Sequence, residues 1–354
     1  MRPRSVRAGA DRADVASVAG PPRGAQQGGP SPGVPSAIGN GEPVLIAPGF
    51  LFDASQFEQL ASDLRARGFL ACVAPIRWYH WLPTVGGRSM RPILDRLDAS
   101  IDLLRKAHSD GATLADTPLT LEGLPEYSPG DFAREMRNAS LGARHAGRFL
   151  ADTETPRLAP PASDAVRVAL VAHSAAGWIA RILLGGGPAY WNKTYDAAAR
   201  VHTLLTLGTP HYSMEGVTKR NLEFVNGGYA GCVHAADKVG AERGVRYVCV
   251  AGRTVRGEVK LGGFYKDLPY QSYELCTGSG DAWGDGVTPV ECALGLDGAE
   301  TLTLEGVEHV PVAGGRVWYG TAPEPLDAWA GLLVRGDAAA TPAEAASSRP
   351  AGAP

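Results

Sequence analysis

The sequence predicts an α/β domain, with a mostly parallel central sheet and helices on both faces. Three observations predict it. Short apolar runs recur along the chain with helical patterns between them. Several runs are continuous rather than alternating, as in strands covered on both faces. One of them, Val166–Ala172, passes straight into a helical pattern through a turn of small residues centred on Ser174. Alternation of this kind argues for parallel strands joined by right-handed crossovers.

Taken in order, residues 1–40 are rich in Gly, Pro, Ala and Arg and show no hydrophobic periodicity. They read as a disordered leader, and the excess of Arg2, Arg4, Arg7, Arg12 and Arg23 over Asp11 and Asp14 is compatible with an organellar transit peptide. The domain is expected over residues 41–335. Its strands are expected at Val44–Ala47, Leu70–Pro75, Val166–Ala172, Val201–Leu207, Val245–Ala251 and Thr301–Val307. A first helix is expected after a Ser55–Glu58 capping box, with Phe57, Leu60, Ala61 and Leu64 on one face and Gly68 ending it. A second spans about Pro92–Ala107, others start at Ser174 and near Asp131, and a last one covers about Pro325–Leu333. Two stretches break the rhythm. One, from about His108 to Gly130, reads as an excursion; the other, from about Gly252 to Gly286, reads as a long functional loop. Residues 336–354 read as a disordered tail.

Composition narrows the function classes. The formal net charge is −3 and 44% of residues are hydrophobic, so a sizeable core is possible and nothing suggests a nucleic-acid partner. The apolar runs are far shorter than the roughly 20 residues of a membrane span, so a soluble protein is expected. The five cysteines include no C-x-x-C pair. A structural zinc site is therefore not expected, and the serine chemistry read below requires no metal or organic cofactor. Cys72 and Cys249 lie in strand-like runs and read as small buried hydrophobes.

The sharpest signal is Ala172–His173–Ser174–Ala175–Ala176–Gly177. A serine on a tight strand-to-helix turn stands exposed above a sheet, and the helix behind it offers free backbone N–H groups. Alanines take both glycine places of the G-x-S-x-G pattern. The competing reading, a plain helix N-cap in a dinucleotide-type fold, lacks the G-x-G-x-x-G glycines. A serine hydroxyl needs a base. Of His211, His234 and His309, the last stands after the final predicted strand, where a base belongs. His173 is read as structural, pointing away from Ser174. Asp267, Asp281 and Asp285 are candidate acids. The Asp285–Gly286–Val287–Thr288–Pro289 turn favours Asp285, with Asp281 as fallback. The amides of Phe50, after Pro48–Gly49, and of Ala175 are the expected oxyanion donors. Trp78, Tyr79, Trp81, Trp283, Phe264 and Tyr265 are candidate lining of an acyl pocket, with plain packing the alternative.

These stretches carry a family resemblance. Ala47–Phe50, Leu170–Trp178, Leu205–His211, Tyr273–Cys276, Trp283–Pro289 and Glu305–His309 resemble the α/β-hydrolase family, in particular lipase-like members distantly similar to GPI inositol-deacylases. Arg77–Pro83 and the Gly-Gly-Arg ending at Arg88 look most like the branch of plastids and cyanobacteria. The resemblance spans roughly residues 43 to 334. It implies the α/β-hydrolase fold and hydrolysis of a carboxylic ester, commonly of a lipid. It implies Ser174, Asp285 and His309 as nucleophile, acid and base, and Phe50 and Ala175 as oxyanion donors. A chloroplast location is expected from the Arg-rich leader together with this resemblance, and a cytoplasmic one otherwise; a small-molecule or lipid ester substrate follows from the resemblance, with peripheral membrane contact possible. An acyl-thioesterase with the same triad and a non-catalytic binding protein of this fold are the alternatives. Relatives generally carry glycine where this chain has Ala176.

Overall fold

The computed structural model describes residues 38–84, 89–112, 166–185, 190, 193–214, 219, 222–223, 225–226, 244–260, 265–311 and 316–335. Leader residues 1–37, the tail, the segment around Asp131 and most of the excursion from His108 lie outside them, as do Phe264, His234 and Arg88.

Six parallel strands form the sheet: β1 (Pro43–Ala47), β2 (Leu70–Val73), β3 (Val168–His173), β4 (Val201–Leu207), β5 (Arg246–Arg253) and β6 (Glu300–Glu305). Their order is β2-β1-β3-β4-β5-β6, and every neighbouring pair is parallel. This is an α/β fold. Strands β1 to β4 are buried along their whole length, which explains why they read as unbroken apolar runs. Edge strand β6 is mostly exposed and carries Thr and Glu instead.

Two hydrophobic layers sandwich the sheet. Leu45 and Ala47 of β1 face α2 (Arg91–Ser109) and α3 (Ala175–Leu184), packing with Ile93, Leu97, Ile101, Ile179 and Leu183. Val44 and Ile46 face α1 (Glu58–Ala66) and α5 (Glu324–Ala330), packing with Leu60, Leu64, Leu326 and Trp329. The strand's two-residue period thus feeds both layers at once. Removing one such side chain, as in Leu97→Ala, typically costs about 2–5 kcal/mol.

The strand order sets the place of the site. The chain moves outward from β1 to β2, then returns to lay β3 on the other side of β1. Loops leaving the carboxyl ends of β1 and β3 therefore part in opposite directions and leave a crevice between them. Phe50 follows β1 and Ser174 follows β3.

Three expectations need correction. The first helix is not capped by Ser55 and Glu58. A 3₁₀ turn, Ala54–Phe57, precedes it, and the Asp53 amide donates to Gln56 Oε1 at 2.9 Å. Asp53 is extended (φ −92°, ψ 152°) and so suits a cap better than Ser55 inside the turn. The described residues of the stretch from Gly252 to Gly286 are not simply loop. They hold α4 (Leu268–Thr277) and two short antiparallel pairs, Val255–Arg256 with Trp283–Gly284 and Val259–Lys260 with Tyr265–Lys266. Finally, β6 ends at Glu305, not Val307, because Gly306 turns the chain at φ +72°.

Candidate active site

Ser174 sits between β3 and α3 with φ +53° and ψ −130°, a left-handed conformation that side chains other than glycine rarely adopt. Such a backbone costs on the order of 1–3 kcal/mol and persists only where neighbours hold it. They do so here. The Ser174 amide donates to the Leu207 carbonyl at 2.9 Å, and its carbonyl accepts from the Gly177 amide at 3.0 Å and from Thr209 Oγ1 at 2.8 Å. Gly177 is required for this contact, since a Cβ there would stand 2.1 Å from Thr209 Oγ1. Ala172 and Ala176 lie in ordinary strand and helix and are fully buried. Neither position needs glycine's backbone freedom, so the alanines keep the turn's smallness without strain.

His309 follows β6. Its Nε2 lies 2.9 Å from Ser174 Oγ, and its Nδ1 lies 2.6 Å from Asp285 Oδ2. In neutral imidazole, Nδ1–H then donates to the carboxylate, and Nε2 is left to accept the serine proton. The His309 amide also donates to the Asp285 carbonyl at 2.9 Å, so the two loops are joined by backbone as well.

Asp285 is buried in the turn that the Asp-Gly pair suggests. Its Oδ1 accepts from the amides of Val287 at 3.0 Å and Thr288 at 2.7 Å. Its Oδ2 accepts from His309 and from the Tyr319 hydroxyl at 2.7 Å. Burial works to raise the carboxyl's pKa, but His309, the Thr288 amide and the Tyr319 hydroxyl outweigh it and hold the group below the usual carboxylate range. Thr288 Oγ1 ties the turn to the Gly208 carbonyl at 2.9 Å. Gly208, at φ +58°, leaves room for the acid: a Cβ there would lie 2.5 Å from Asp285 Oδ2 and 3.0 Å from His309 Nδ1.

Of the expected oxyanion donors, Ala175 opens α3 directly behind Ser174. Phe50 follows Gly49, whose backbone runs against the serine so closely that a Cβ would sit 2.9 Å from Ser174 Cβ. Among the described residues neither amide makes a backbone hydrogen bond. Among the described residues both are thus unengaged donors, one in the turn after β1 and one at the start of α3.

The remaining candidates separate. Asp267 caps α4, accepting from the Tyr270 amide at 2.9 Å, and Asp281 pairs with Arg256 at the surface. His211 is buried against Cys249 Sγ at 3.3 Å, away from the serine's partners. Trp81 is buried and meets the Phe50 ring edge-on at 5.6 Å, whereas Trp78, Tyr79 and Trp283 are partly exposed. Trp283 carries the Arg253 guanidinium over its face at 4.7 Å. Tyr265 lies in the outer hairpin.

The sequence gives Tyr319 no mark, shows Thr209 only within the Leu205–His211 phrase, and assigns His173 no partner. Its ring does leave the serine and enters a cage of Phe52, Phe57, Trp318 and Tyr319. There Nε2 donates to the His309 carbonyl at 2.8 Å. Burial, reinforced by the nearby His309, lowers its pKa to about 3, so the ring stays neutral.

No group of three or more His, Cys, Asp and Glu side chains that could hold a metal occurs among the described residues, and no helix there is long and apolar enough to cross a membrane. No protein-family description matches the chain, and no curated protein matches it in sequence. Among solved structures it is similar to the pyrethroid hydrolase PytH, solved with BIF. The two are 14% identical with a TM-score of 0.31, over 82% of this chain and 96% of that one. A likeness so distant says nothing about activity.

Proposed function

We propose that this chain is a serine hydrolase of the α/β-hydrolase type that cleaves a carboxylic ester through an acyl-enzyme on Ser174. The observation that carries this reading is the continuous relay from Ser174 Oγ through both nitrogens of His309 to a buried Asp285. His309 Nε2 takes the hydroxyl proton as the serine oxygen bonds to the ester carbon. The Phe50 and Ala175 amides receive the developing oxyanion; losing one such donor typically costs about 10²–10³ in turnover. His309 then protonates the leaving alcohol, and the acyl group remains on Ser174. Water, deprotonated by the same imidazole, releases the acid and restores the serine. The chemistry uses side chains and backbone amides alone.

Lipid esters are the substrate class we favour, because the phrases that resemble lipase-like proteins include the residues of this site and Phe50, Trp78, Tyr79 and Trp283 expose apolar surface. A plastid location belongs to the same proposal and rests on the Arg-rich leader together with the family resemblance. Thioesters suit the same residues. The test is labelling by a fluorophosphonate probe beside Ser174→Ala, followed by an ester series of increasing acyl length and a matched thioester. Labelling should vanish in the variant while its unfolding curve stays unchanged. Persistent labelling at full stoichiometry would remove Ser174 from the chemistry.

A further inference from the structure

We propose that Tyr319 is a positioning residue that sets how strongly Asp285 holds the imidazole of His309, and with it the pH at which the base becomes available. This rests on the triad reading above.

The argument begins with lone pairs. An ionised carboxylate offers about four acceptor sites, and Asp285 has four donors. Two are amides of its own turn, on Oδ1. The other two share Oδ2: His309 Nδ1 at 2.6 Å and the Tyr319 hydroxyl at 2.7 Å. The oxygen that must stabilise the imidazolium is therefore the one the phenol drains. The phenol cannot turn away. Its oxygen accepts from the Gly252 amide at 2.7 Å, which aims the O–H at Asp285 and makes it a better donor. The ring is fully buried, and the Tyr319 carbonyl is held by Trp329 Nε1 at 2.9 Å. Nor does it ionise, since burial and the neighbouring Asp285 push its pKa well up.

Among the described residues, the titratable groups facing this pair are His173 at the end of β3, Ser174, Tyr273 and Cys276 on α4, and Tyr319 itself. His173 stays neutral, burial raises Tyr273, and the hydrogen bond with Cys292, followed by burial, raises Cys276 away from ionisation. Through the working pH range Asp285 is thus the charge that sets the basicity of His309, and Tyr319 is the donor that shares the imidazole's oxygen.

Tyr319→Phe keeps the ring and removes only the shared hydrogen bond. Negative charge then concentrates on Oδ2, the imidazolium is better held, and protonated His309 persists to higher pH. The acidic limb of the kcat/KM profile for a p-nitrophenyl ester should move up by about 0.5–1 pH unit. Trp329→Phe serves as the structural control. It removes the bond to the Tyr319 carbonyl but leaves the phenol between the Gly252 amide and Asp285, so its urea midpoint should fall while the limb stays in place. Should Tyr319→Phe fail to fold, 3-fluorotyrosine placed at position 319 is a stronger donor and should move the limb down. An unmoved limb in either variant, with activity still dependent on Ser174, overturns the role of Tyr319 and leaves the triad standing. Activity that survives Ser174→Ala overturns the triad reading, and this role with it.

Discussion

Replacing Gly208 by alanine tests whether the site depends on one missing methyl group. Two separable penalties fall on Gly208→Ala. The first is backbone strain: φ is +58°, where an L side chain costs on the order of 1 kcal/mol. The second is overlap. The new Cβ would lie 2.5 Å from Asp285 Oδ2, 2.8 Å from the Tyr319 hydroxyl and 3.0 Å from His309 Nδ1. Ordinary van der Waals contact begins near 3.5 Å, so the carboxylate must retreat by roughly 1 Å. A misplacement of that size is typically worth about 10²-fold in rate. Gly306→Ala separates the two penalties, because Gly306 shares the left-handed backbone (φ +72°) but has nothing within 4 Å of the added atom. We expect both variants to lose roughly 1 kcal/mol or more in urea unfolding. Only Gly208→Ala should lose about 10²-fold in kcat on a p-nitrophenyl ester and in the rate of fluorophosphonate labelling. Equal kcat in the two variants would refute the claim that Gly208 exists to leave space for the acid and base.

Two further predictions follow from buried groups. Gly177→Ala places a Cβ 2.1 Å from Thr209 Oγ1, in the contact that holds the Ser174 carbonyl; it should destabilise the fold by about 2 kcal/mol or more and slow labelling, and a wild-type urea midpoint would contradict it. His173, lowered to about 3 by burial, binds a proton in the unfolded chain long before it does in the native one. Its contribution is therefore fully present above the unfolded value near 6.5 and is lost as pH falls from there toward about 3. Urea midpoints across this range should fall less steeply in His173→Gln, and identical slopes would count against the neutral buried ring.

The sheet and the elbow were legible because their physics is local. A strand covered on both faces has no reason to alternate, so β1, β3 and β4 announce themselves as continuous runs. Ser174 is marked by the small residues that a doubled-back chain demands, and Asp285 by the glycine that lets its turn close. What stayed hidden depends on partners far away in sequence. Nothing about a tyrosine between Trp318 and Gly320 says that its hydroxyl will meet Asp285, 34 positions earlier, and Gly252, 67 positions earlier. Thr209 likewise gains meaning only when the loop after β4 folds over the serine. The Ser55 cap failed for a different reason: two acceptable caps lay two residues apart, and the bond between the Asp53 amide and Gln56 decided between them.

The hydrogen bond between His309 Nε2 and Ser174 Oγ, which in the proposed chemistry activates the hydroxyl, closes a loop of 135 positions along the chain. Contacts so remote form late in folding, since the entropy of closing the loop is lost before anything is gained from it. Until β6 and the segment behind it dock, the side chain at 174 is an ordinary alcohol, no more reactive than any other serine. The same separation that hides the site from a local reading of the sequence makes the proposed reactivity a property of the finished fold.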